Sequence, residues 1–130
     1  MKRVFLGGTC ANSTWREDLI QLLTIDFFDP VVDDWNEAAQ KVELREREEC
    51  DFCLYVITPE MKGVYSIAEV IDDSNKRPKK TVFCYLEHSA QSAHSKEQLK
   101  SLQEVGKMVE RNGGKFLGNL QEVADYLNKA

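Results

Sequence analysis

The sequence predicts an α/β fold: a single-domain flavodoxin-like or Rossmann-like sandwich, with a five-stranded parallel sheet of order 2-1-3-4-5 and helices on both faces. Three observations predict it. Five short apolar runs alternate with five helical patterns along the whole chain. The third and fourth runs are apolar nearly throughout, as in strands buried on both faces of a parallel sheet. The length, 130 residues, suits one compact domain over residues 1–130 and is enough for a core without staples.

The strands are read at Arg3–Leu6, Phe27–Val32, Phe52–Ile57, Thr81–Leu86 and Lys115–Leu117. The helices are read at Trp15–Ile25, Asn36–Cys50, Ser66–Ser74, Lys96–Asn112 and Leu120–Asn128. Trp15, Leu19, Leu22 and Leu23 share one face of the first helix. Asp29-Pro30 interrupts the second strand region, and Asn112-Gly113-Gly114 closes the fourth helix. Thr14/Glu17, Ser66/Glu69 and Ser95/Gln98 all have capping-box spacing, and Asp34 is positioned to cap the second helix with Glu37 answering. The run Lys41–Glu49 carries seven charges of mixed sign and reads as a solvated helix face, with Glu43 and Arg47 at i,i+4.

Composition narrows the function. With 22 acidic and 17 basic residues the formal charge is −5, which disfavours a nucleic-acid partner because phosphates call for a basic stripe. No apolar run approaches the roughly 20 residues that span a bilayer, so no membrane partner is expected, nor a signal-peptide core in the opening residues. Cys50-Asp51-Phe52-Cys53 is a lone C-x-x-C without a second half or a histidine pair, so buried, reduced cysteines in a cytoplasmic protein are expected. His88 and His94 lie on a polar loop and read as surface residues; no metal site and no cofactor are expected.

In a doubly wound sheet, ligands bind beyond the carboxyl ends of the strands where the strand order reverses. That rule nominates the loops Gly7–Ser13, Asp33–Asn36, Thr58–Tyr65 and Glu87–Ser95. Gly7 and Gly8 directly after the first strand let the backbone approach a ligand, or simply make a tight turn before a helix. The loop is neither G-x-G-x-x-G nor a Walker loop. Asp33, Asp34 and Trp35 after the second strand could bind a sugar and stack on a base, or cap the next helix. Glu69, in the first turn of the third helix on this reading, faces the crevice, where the helix dipole would keep it ionised.

The segment Thr58-Pro59-Glu60-Met61-Lys62-Gly63-Val64-Tyr65-Ser66-Ile67-Ala68-Glu69-Val70 resembles the corresponding segment of the nucleoside 2-deoxyribosyltransferase-like proteins. So do the Gly7-Gly8-Thr9 loop and the Asp51 that opens the third strand, and the likeness covers residues 3 to 86. The resemblance implies that Glu69 attacks the anomeric carbon of a nucleoside. It also implies that Glu43, eight positions before Asp51, assists with the base; the family usually has Asp there. Family members tend to carry glycines just before the nucleophile, where this chain has Ile67-Ala68. Gly63 stands where related nucleotide hydrolases place a phosphate-binding serine, which points away from a 5′-monophosphate.

The catalytic candidates are thus Glu69 and Glu43. The substrate-binding candidates are Gly7, Gly8 and Thr9 from the first loop, Asp33 and Trp35 from the second, and Met61, Gly63 and Ser66 from the third. The expected function is transfer or hydrolysis of the N-glycosidic bond of a nucleoside or nucleotide through a glutamyl-glycosyl intermediate, in a homodimer or higher homo-oligomer. The alternative is a non-catalytic nucleoside-binding module on the same fold.

Overall fold

The computed structural model describes residues 1–10, 12–90 and 92–130. Ala11 and Gln91, which fall within two of the nominated loops, lie outside the described residues. The sheet is built on β1 (Arg3–Gly8), β3 (Phe52–Ile57) and β4 (Thr81–Tyr85), with short strands β2 (Asp26–Phe28) and β7 (Lys115–Leu117) at its edges. All pairings in it are parallel, and the order is β2-β1-β3-β4-β7. A small hairpin, β5 (His88–Ser89) with β6 (Ser92–Ala93), stands apart from the sheet, so this is the expected 2-1-3-4-5 order. The hairpin itself was not foreseen, because strands of two residues carry no readable alternation.

Alternate residues of each central strand face opposite layers. Val4, Leu6, Leu54, Val56 and Val82 pack with Trp15 and Leu19 of α1 (Trp15–Ile20) and with Val123 and Leu127 of α5 (Leu120–Lys129). Phe5, Cys53, Tyr55, Ile57 and Phe83 pack with Val70 of α3 (Tyr65–Lys76) and with Leu102 and Val109 of α4 (Lys96–Arg111). Each such aliphatic side chain, fully buried, contributes about 1.5–3 kcal/mol, so two apolar layers hold the sheet without disulfides. α2 (Glu37–Glu49) completes the helices. Among the described residues, no helix is long and apolar enough to cross a membrane.

Several local expectations are corrected. α1 ends at Ile20, not Ile25: Leu22 N–H turns back to the Leu19 carbonyl, and Thr24 N–H donates instead to Asn128 Oδ1 of α5. β2 stops at Phe28, because Asp29 Oδ1 accepts the Val31 N–H in a local turn and Pro30 has no donor for a ladder. Asn36, not Asp34, caps α2, its Oδ1 accepting from Ala39 N–H at 2.9 Å. Of the three capping-box spacings only Ser95/Gln98 forms a box. Thr14 bonds Asp18 instead, and Ser66 lies inside α3, whose N-cap position is Val64.

Glu46 and Arg47 of α2 are buried, which overturns the solvated-face reading of their half of the charge run. Three cysteines are buried as expected, and burial pushes Cys50 up to about 11 and Cys53 and Cys84 up to about 12. Cys10 is exposed.

Candidate active site

A cleft of about 310 Å³ opens beyond the carboxyl ends of β1, β2 and β3, where the strand order reverses. Its floor is the turn after β1. Gly8 has φ +117°, a conformation that favours glycine, and a β-carbon there would run into the Val56 carbonyl. Thr9 is pinned from three sides. Its N–H donates to the Val56 carbonyl at 3.0 Å, and its Oγ1 accepts from Thr58 N–H at 2.9 Å. Its carbonyl accepts from Trp15 Nε1 at 2.8 Å and from Arg16 Nη1 at 2.6 Å. The buried Arg16 also donates to the Leu6 carbonyl from Nε and Nη2, so α1 clamps the loop it follows. The turn therefore meets a ligand pre-organised.

One wall is aromatic and aliphatic. Because β2 ends early, Val31 and Val32 continue past Pro30 along the cleft rim, nearly half exposed. Trp35 stands at the mouth, 51% exposed, with its ring edge-on to Tyr65 at 6.4 Å. Trp35 Nε1 donates to Glu43 Oε2 at 3.0 Å, which ties the loop after β2 to α2. Such a wall offers an apolar face for a flat ring, with polar groups only at its edge.

Two carboxylates join this lining. Glu43 of α2 and Glu69 of α3 both line the cleft. Glu69 is the fifth residue of α3, two positions deeper than the capping reading placed it, and is 8% exposed. Burial there pushes its carboxyl up to about 7; Arg47 opposes the rise, and Glu43, Asp73 and Asp72 add to it. The expectation that the helix dipole holds this group at low pKa is therefore corrected. A dipole acting on the first turn is worth less than the loss of water around a buried carboxylate.

The structure brings Gly8, Thr9, Trp35, Glu43, Met61, Gly63, Ser66 and Glu69 to one cleft. It leaves out two candidates. Gly7 is buried in β1 under the Tyr55 ring, which a β-carbon would meet at 2.5 Å, and Asp33 sits exposed away from the lining. Cys10, Lys62 and Tyr65 of the lining lie in the nominated loops without having been singled out, whereas sequence reasoning missed Val31 and Val32, read as strand, and Arg47 behind the cleft. Helical spacing could have exposed Arg47: Glu43, Glu46, Arg47 and Cys50 recur at i, i+3, i+4 and i+7, the pattern of one buried face.

Residues 1–89 match the family described as nucleoside 2-deoxyribosyltransferase like, so the chain belongs to that family, and the matched span contains every element that lines the cleft. No curated protein and no solved structure matches the chain.

Proposed function

Taking membership of the nucleoside 2-deoxyribosyltransferase-like family as the premise, we propose that this protein cleaves the N-glycosidic bond of a nucleoside and passes the sugar to a second base or to water. The observation that carries the reading is that two carboxylates, Glu43 and Glu69, line one cleft together with the aromatic pair Trp35 and Tyr65. The base lies against Trp35, Tyr65 and the Val31–Val32 rim, which orients C1′ toward Glu69. A Glu69 oxygen forms a bond to C1′ as the C1′–N bond breaks, and the bonding pair leaves with the base. Glu43 hydrogen-bonds or protonates the departing base, its Oε2 already positioned by Trp35 Nε1 at 3.0 Å. A second base or water then attacks C1′ and returns the Glu69 carboxylate.

Lys62 is the one cationic side chain in the lining among the described residues, which supports a neutral nucleoside over a 5′-monophosphate. Glu69 must be ionised to attack, so the rate should rise with pH through about 7. Four unpaired cysteines support a reducing, cytoplasmic setting. The exposed apolar side chains Leu44 on α2 and Val64 before α3, together with Val31, Val32 and Tyr65 at the rim, support a homo-oligomer. A sedimentation mass near 14.9 kDa at micromolar concentration would exclude that assembly.

The test is base exchange. Incubation with a deoxynucleoside and a different free base, followed by chromatography, should show the new nucleoside or the released base. A 2′-fluorinated nucleoside should leave a sugar-sized mass on the peptide that contains Glu69. Ligand-dependent thermal stabilisation without turnover would overturn the catalytic reading in favour of a binding module.

A further inference from the structure

Behind the cleft, α2 and α3 meet over a buried charge cluster that the glycosyl-transfer scheme leaves unused. Arg47 follows Glu43 by one turn of α2, and its side chain is 4% exposed. Its Nε donates to Asp73 Oδ2 at 3.1 Å, and its Nη2 donates to Asp73 Oδ1 at 2.9 Å and to Asp72 Oδ2 at 2.8 Å. Asp73 is wholly buried and accepts in addition from the Tyr55 hydroxyl at 2.5 Å and from Arg77. This clamp uses Nε and Nη2. The third nitrogen, Nη1, lies 3.6 Å from Glu69 Oε2, too far for a good hydrogen bond and close enough for strong charge attraction in a dry site.

We propose that Arg47 is a positioning residue for Glu69: held back by Asp73, it faces the Glu69 carboxylate with positive charge while leaving the attacking oxygen free of a short hydrogen bond. The inference rests on the reading of Glu69 as the nucleophile. A buried carboxylate without a cation stays protonated and cannot attack, whereas one tied by a short charge-assisted bond is charged but less nucleophilic. The fixed 3.6 Å separation lies between these extremes. Only a planar fork can hold one carboxylate with two nitrogens and present the third to another; a lysine has a single point charge. When Glu69 loses its charge in the glycosyl ester, Arg47 keeps Asp73 and Asp72 as partners, so no unpaired cation is stranded at the intermediate. The charged and titratable groups that bear on Glu69 are Glu43 and Arg47 of α2 and Asp72 and Asp73 of α3, with Tyr55 of β3 bonded to Asp73 beneath them.

The experiment is a carbon-13 titration of the intact protein labelled at glutamate side-chain carboxyls, with Glu69→Gln identifying the Glu69 signal. Two variants should move that signal in opposite directions. Arg47→Lys keeps a cation for Asp73 but cannot also face Glu69, so the Glu69 midpoint should rise by about one pH unit. Asp73→Asn removes a negative neighbour and frees the guanidinium to close on Glu69, so the midpoint should fall by about as much. The acidic limb of kcat/KM for base release should follow in the same two directions.

A merely structural Arg47 would lower stability in both variants and leave the Glu69 midpoint in place, and that result would overturn the proposal. If a variant fails to fold, the other decides. The wild-type titration decides without either, because a midpoint above about 8, typical of a buried carboxyl with no cation beside it, would also overturn the proposal. The titration uses no substrate. Base release with an unmoved Glu69 signal therefore removes the role of Arg47 and leaves the nucleophile standing. Signals that move as expected without base release leave the coupling of Arg47 to Glu69 standing and remove the catalytic reading, and with it the purpose assigned to that coupling.

Discussion

Replacing Glu69 by Gln should make this protein more stable at alkaline pH while abolishing turnover. Glu69 has an ordinary value of 4.5 and is raised by burial to about 7 in the fold. Below pH 4.5 the group is protonated in folded and unfolded chains alike and contributes nothing. Between 4.5 and 7 the folded chain holds the proton that the unfolded chain has released, so stability falls as pH rises. Above 7 the full penalty is present. At about 1.4 kcal/mol per pH unit, the rise corresponds to roughly 3 kcal/mol. Glutamine has the same shape and no charge, and Arg47 stays paired with Asp73 and Asp72, so the substitution strands no buried cation.

Urea unfolding of wild type and Glu69→Gln at pH 4.5 and at pH 8.5 measures the difference, in which titrating groups remote from Glu69 cancel. The two curves should coincide at the lower pH. At pH 8.5 the variant midpoint should lie higher by about 1 M or more, given an m-value of about 1–3 kcal/mol per molar. Base release should drop by several orders of magnitude, because an amide cannot form the glycosyl ester. Equal stabilities at pH 8.5, or a variant weaker there than wild type, would refute the argument that Glu69 is held in a desolvated, unfavourable site. A stabilising loss of function is the expected signature of a catalytic group kept at a cost in stability.

Trp35→Ala should weaken nucleoside affinity by roughly 1–3 kcal/mol, read by calorimetric titration, if the base stacks there. The ring is half exposed, so thermal unfolding should change little, and the opposite pattern would make Trp35 a core residue. Gly8→Ala should cost more than about 2 kcal/mol in urea unfolding, since the new β-carbon meets the Val56 backbone at φ +117°. Ser95→Ala should cost about 1 kcal/mol through loss of a real capping box, whereas Ser66→Ala should cost distinctly less, because Ser66 makes no cap bond at the start of α3. Equal losses at the two serines would mean that the helix starts are misassigned.

The sheet, its strand order and the address of the cleft could all be read from the amino-acid sequence. Phe52–Ile57 and Thr81–Tyr85 are apolar at every or nearly every position, and only a strand covered on both faces tolerates that pattern, so the parallel sheet was legible residue by residue. Gly8, Trp35 and Glu69 were legible as site candidates because the topology sends the loops after β1, β2 and β3 and the start of α3 to one end of the sheet, whereas Glu43, inside α2, was pointed out only by the family resemblance. Tertiary structure alone decided which polar residues share a space and how dry it is. Capping-box spacing at Ser66/Glu69 is a local pattern; the helix start two residues after Gly63 makes Glu69 the fifth helical residue and not the third, and packing of the helices desolvates it. Arg47 looked solvated among seven charges because charge runs carry no sign of what faces them across the fold. Its partners Asp72 and Asp73 lie 25 and 26 residues away in sequence, and burial, the quantity that sets the worth of every one of these charges, exists only once the helices have packed.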